Sequence, residues 1–135
     1  MKKFLCIVLS CILILSLCGC KKNTDFEDLT GEWHEAISGR GSMTVTLVDG
    51  NPYFEVVWSD SATTYHEFNF LTTPTDDGKL VYDAGFKGIV ECDEEGNETK
   101  TILDEEASGT VEITDDGSLI WTEDDVADDP HQFVR

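Results

Sequence analysis

From Thr30 onward the chain alternates apolar and polar residues with a period of two, in short runs broken by turn residues. Met43, Val45 and Leu47 share one side of a run whose other side is Ser42, Thr44 and Thr46. Phe54, Val56 and Trp58 likewise oppose Tyr53, Glu55 and Val57, and His66, Phe68 and Phe70 oppose Tyr65, Glu67 and Asn69. Val111 and Ile113 oppose Thr110, Glu112 and Thr114, and Leu119 with Trp121 completes the apolar set. Successive side chains of a strand point to opposite faces, so this period predicts strands with one oily and one wet face. The predicted strands are Thr30–Ala36, Ser42–Val48, Tyr53–Ser59, Thr63–Thr72, Lys79–Asp83, Phe86–Cys92, Glu98–Leu103, Gly109–Thr114 and Leu119–Thr122, with a last one at Gln132–Val134. Between them, Asp49-Gly50-Asn51-Pro52, Asp76-Asp77-Gly78, Glu95-Gly96-Asn97 and Asp116-Gly117 supply the residues that tolerate positive φ in tight hairpins. Helical periodicity is confined to Asp104–Ala107, which is too short for a helix.

An all-β antiparallel meander of about eight short strands with one apolar face avoids exposed edges by closing into a small barrel. A two-sheet sandwich follows from the same pattern and stays as the structural alternative. The segment from residue 29 to 135 is long enough for one domain with a core. It holds a single cysteine, Cys92, so hydrophobic packing must stabilise it without an intramolecular disulfide. Cys92 falls in a predicted strand, as a half-buried small residue.

The N-terminal end has a different character. Lys2 and Lys3 precede an uncharged apolar run from Phe4 to Leu17, which is too short to span a bilayer and has the flanks of a signal peptide. Leu17-Cys18-Gly19-Cys20 resembles the lipobox of bacterial lipoproteins. That resemblance implies a signal peptide over 1–19 and a diacylglycerol on Cys20, whose palmitate-like chains hold the protein to the membrane through a tether over 20–28. Two chains, at about 0.8 kcal/mol per buried CH₂, give a lasting anchor where one is marginal. A secretory signal cut nearby and an uncleaved anchor are the alternatives. The expected location is the extracellular face of the cell membrane.

Charge narrows the partners. The formal net charge is −19, and all 28 acidic residues lie after Cys20 with seven basic ones, which makes that part −21. Such a surface repels nucleic acid and favours cations, basic peptides or basic proteins, although solubility alone also accounts for it.

Two further resemblances bear on architecture. Leu29-Thr30-Gly31-Glu32-Trp33 followed by Ser42-Met43-Thr44-Val45 resembles the first hairpin of avidins, and Gly-x-Trp on an opening strand is similar to lipocalins. In those families the Trp closes one barrel end under a basic side chain, which implies that Arg135 or Arg40 covers Trp33. Glu35 stands where avidins carry a biotin-contacting Asn, so the resemblance implies topology and not biotin binding. Trp33, Ser38-Gly39-Arg40, Met43-Thr44-Val45, Val57-Trp58-x-x-Ser61-Ala62, Leu80-x-Tyr82, Gly109-Thr110-Val111, Gly117-Ser118-Leu119-Ile120-Trp121 and Phe133 together resemble small lipobox lipoproteins of anaerobic Gram-positive bacteria. This implies export and a one-domain architecture, and carries no catalytic residue across.

Candidate ligand-binding residues are Trp33, Trp58, His66, Phe68 and Trp121, since aromatic walls with a few polar groups are what small-molecule sites use. Core packing explains the three Trp residues as well. His66 shares the face of Phe68 and Phe70, and needs a partner, a ligand or solvent there. The acidic groups Asp93-Glu94-Glu95, Asp104-Glu105-Glu106 and Glu123-Asp124-Asp125 with Asp128-Asp129 lack the ordered loop of a calcium site. No cofactor, resident metal or catalytic residue is expected, and the chain is read as a non-enzyme. The expected function is binding of a small apolar or amphipathic ligand inside a monomeric barrel. The second reading is an acidic interaction protein that captures a cationic partner, such as a lysozyme-like enzyme or an antimicrobial peptide.

Overall fold

The computed structural model describes residues 25–135. The signal segment and Cys20 lie outside the described residues. Among the described residues no helix is long and apolar enough to cross a membrane.

After a short 3-10 turn at Glu27–Leu29, nine strands follow: β1 (Gly31–Glu35), β2 (Gly41–Val48), β3 (Asn51–Ser59), β4 (Thr64–Leu71), β5 (Thr73–Pro74), β6 (Leu80–Cys92), β7 (Glu98–Ile113), β8 (Leu119–Glu123) and β9 (His131–Val134). They form one antiparallel sheet in the order β4-β3-β2-β1-β9-β8-β7-β6-β5, and β4 also pairs with β6. That last pairing closes a ring of eight strands, with β5 as a short addition on β6. The architecture is all-β and barrel-like, as the alternation predicts.

The turns follow from their residues. Asp49 and Gly50 have φ of 52° and 82°, the positive values that a two-residue hairpin between Val48 and Asn51 requires. Thr75-Asp76-Asp77-Gly78 and Thr114-Asp115-Asp116-Gly117 repeat one device, in which the Thr hydroxyl donates to the carboxylate of the second Asp. The Thr114 and Ser118 hydroxyls hold the Asp116 carboxyl down at about 2.

The predicted faces are the observed ones. Met43, Val45, Phe54, Val56, Phe70, Val111, Leu119 and Trp121 are all at most 2% exposed. Their rings form a column across the barrel: Phe54 stacks on Phe70 at 5.2 Å between centroids, Phe70 on Tyr82 at 3.9 Å, and Phe70 on Trp121 at 5.8 Å. Close-packed aromatic rings thus fill the middle of the barrel.

Three expectations are corrected. Lys79–Asp83 and Phe86–Cys92 are one strand, β6, and Glu98–Leu103 and Gly109–Thr114 are one strand, β7, including the Asp104–Ala107 stretch. The apparent break is a set of register shifts between Tyr82 and Gly88 that lets the long hairpin bend without ending. Each extra residue flips the facing of those after it, so Tyr82 and Lys87, an odd number apart, both face the interior side. Finally, Phe26, expected in the tether, is 7% exposed and belongs to the core, so the packed domain begins before residue 29.

Candidate functional site at the open mouth

The two ends of the barrel differ. At the end where β1 begins, the Trp33 indole N–H donates to the Leu29 carbonyl at 2.8 Å, and the Arg135 guanidinium lies 4.4 Å over the ring. Arg135 also donates to the Asp28 carbonyl. This end is plugged. The closing pair is Trp33 with Arg135, and Arg40 sits at the opposite end, in the β1–β2 loop, where its carbonyl accepts from the Ser59 amide at 3.0 Å. Trp33 is therefore a core and closure residue, and the ligand role expected of it is corrected.

At the other end the ring opens into a pocket of about 270 Å³, close to the lower bound for small-molecule sites. Strand register builds its walls. Trp58 near the end of β3 pairs with His66 on β4, and Phe68 pairs with Lys87 on β6. Across the mouth, Trp121 on β8 pairs with His131 on β9. Four of the five predicted ligand residues, Trp58, His66, Phe68 and Trp121, line this one space. It sits above the aromatic column, so the room for a ligand is at the mouth and not in the barrel's middle.

Trp121 is the floor. It is 1% exposed, its indole N–H donates to the Tyr82 hydroxyl at 2.9 Å, and the Phe68 ring meets it edge-on at 4.8 Å. Burial pushes the Tyr82 phenol above its ordinary range, which keeps it neutral as the acceptor of that bond. On the rim, Trp58 lies 4.6 Å from His131 between ring centroids. Gly41 makes room for that indole, because a Cβ there would come within 2.7 Å of it.

Polar groups complete the wall. The Lys87 ammonium donates to Glu123 Oε1 at 3.1 Å and lies 5.3 Å above the Phe68 ring. His66 Nδ1 lies 2.6 Å from Asp60 Oδ2, so a neutral ring presents Nε2 as an acceptor. Asp129, by contrast, stands 3.9 Å from His131 Nε2, beyond hydrogen-bond distance, with its side chain 77% exposed.

Glu35 organises the neighbouring loop. One carboxylate oxygen accepts from the Ile37 amide at 3.0 Å, and the other accepts from the Ser38 amide, the Ser38 hydroxyl and the Gly39 amide. Burial raises the Glu35 pKa, but these four bonds outweigh it and hold the carboxyl below its ordinary value. The position that avidin resemblance associates with ligand contact here anchors a turn.

Sequence reasoning did not single out Lys87, Glu123, Asp129 or His131 as site residues. Glu123 was reachable, since it continues the alternation of Leu119 and Trp121, and His131 stands two residues before buried Phe133. Lys87 was not, because its facing depends on the bulges in β6. Among the described residues no three His, Cys, Asp or Glu side chains are grouped to hold a metal ion, and Cys92 is a half-buried free thiol. Ring faces, one paired ammonium, imidazoles and carboxylates are groups suited to binding. No protein-family model matches the chain, and no curated protein or solved structure matches it either.

Proposed function

We propose that this chain is an exported protein, anchored to the outer face of the membrane through a lipid on Cys20, whose barrel is a non-enzymatic binding module. Its ligand is small, with an apolar or amphipathic body that fits the mouth. The observation that carries this reading is the convergence of Trp58, Phe68 and Trp121 with five polar side chains on one open pocket. The anchor rests on the resemblance of Leu17-Cys18-Gly19-Cys20 to a lipobox, and it suits the pocket's placement. The described chain starts at the plugged Trp33 end, so a tether there leaves the mouth pointing away from the bilayer.

The test is native mass spectrometry of residues 21–135 purified gently from cells, beside a Trp58→Ala variant. A reproducible extra mass that is released on denaturation and missing from the variant supports the pocket. A bare mass from both overturns the small-ligand reading. It would move the case to the second one, capture of a basic protein or peptide. That reading is favoured by the exposed acidic rim Asp124, Asp125, Asp128 and Asp129, and it requires binding that weakens with salt.

A further inference from the structure

Resting on the reading of the mouth as a ligand site, we infer that the pocket selects a small organic cation, an alkylated ammonium, and rejects the neutral or anionic isostere. Three observations converge on it. The chain's own ammonium already uses one half of the pocket: Lys87 Nζ lies 5.3 Å over the Phe68 ring and 3.1 Å from Glu123. A ring face next to a carboxylate is the environment that stabilises an ammonium, through the quadrupole of the ring and the charge of the acid. The other half brings further ring faces and a second carboxylate to the same space, in Trp58, His131 and Asp129.

The charges point the same way. Glu123 is paired with Lys87 at 3.1 Å and Asp60 lies 2.6 Å from His66, whereas Asp129 has only His131, at 3.9 Å. Among the lining side chains, Lys87, Glu123 and Asp129 together carry one net negative charge. The field of the whole chain, −19, adds to it, and a cleft with low-dielectric walls focuses that field. An anion would have to displace Glu123 from Lys87 against this potential. A cation leaves that ion pair intact, because Trp58 and Asp129 line the same space outside it.

The probes are choline, its uncharged carbon isostere 3,3-dimethylbutan-1-ol, and 3,3-dimethylbutanoate. Each is titrated into residues 21–135 and followed by the indole NMR signals and tryptophan fluorescence. Choline is expected to bind at least tenfold tighter than the alcohol, and the carboxylate weakest. Choline affinity should fall severalfold in Asp129→Asn and with added salt, and be lost in Trp58→Ala. Asp129→Asn changes an exposed side chain, so it reads the charge without loss of the fold. Equal or tighter binding of the alcohol or the carboxylate overturns the cation preference and leaves the pocket standing. Absence of binding by all three, beside a released mass in the native spectrum, also overturns it. Absence of both overturns this inference and the ligand reading together.

Discussion

The guanidinium of Arg135, just after β9, lies 4.4 Å over the indole of Trp33 on the first strand and donates to the Asp28 carbonyl behind it. This contact ties the exit of β9 to the entry of the barrel. Replacing Arg135 with Ala should lower stability by about 0.5–2 kcal/mol, the range of a cation–π contact. Urea titration checks it. Ligand binding should be unchanged in native buffer, because the pocket is at the opposite end.

Tyr82 and Trp121 make the pocket floor rigid. Tyr82→Phe leaves the buried indole N–H without its acceptor, and is expected to cost about 1–3 kcal/mol. The same residue shapes the alkaline limit. A phenol raised in the folded state stabilises the fold fully below the ordinary tyrosine pKa, and that contribution is lost as pH rises beyond it. Base-induced unfolding above about pH 10 should therefore be shallower in Tyr82→Phe, as judged by near-UV circular dichroism against pH.

Gly109 is where β7 passes beneath Tyr82. A Cβ there would meet the Thr122 carbonyl and come within 2.5 Å of the Tyr82 hydroxyl. Gly109→Ala should cost about 1–3 kcal/mol by overpacking, and should perturb the Trp121 indole NMR signal. An unchanged melting temperature would show that the strand crossing has more space than this.

Glu35 holds the rim loop. Glu35→Ala removes the acceptor of three amides and should destabilise the protein by about 1–3 kcal/mol. Hydrogen exchange should rise selectively at Ile37, Ser38 and Gly39. Uniform exchange across the barrel would instead mean that the loop is not held by this carboxylate.

At the acid limit the depressed carboxyls act with the opposite sign to the phenol. Asp116, held at about 2 by the Thr114 and Ser118 hydroxyls, contributes stability that is complete above the ordinary aspartate pKa. It is lost as pH falls through about 2. Glu35, also lowered, adds to that loss. Stability measured by urea titration should decline more gently between about pH 4 and 2 in Asp116→Asn than in the parent protein.

The inward set Met43, Val45, Phe54, Val56, Phe68, Phe70, Val111, Leu119 and Trp121 was legible because a two-residue period is a local property. Each strand carries its own facing in its own residues. The hairpin at Asp49-Gly50 was legible for the same reason, since positive φ at both positions is a demand that those residues meet by themselves. The bend in β6 was not. Asp83-Ala84-Gly85 reads as a break in any single strand, and only the partner strands β4 and β7, paired on either side, turn it into bulges in a continuous one.

The alternation of the sequence thus determined antiparallel strands with one apolar face, and four residues that would share a pocket, whereas the closed ring and its filled aromatic middle came with the tertiary structure. The tertiary structure decided which tryptophan plugs an end and which opens to solvent. It also set Lys87 against Glu123 and brought Asp129 and Trp58 to the same pocket. Those placements depend on the closure of β4 onto β6 and of β9 between β1 and β8, contacts between residues far apart in the chain. A local period fixes the direction in which a side chain points, whereas the group it meets there is set by the register of the closing strands.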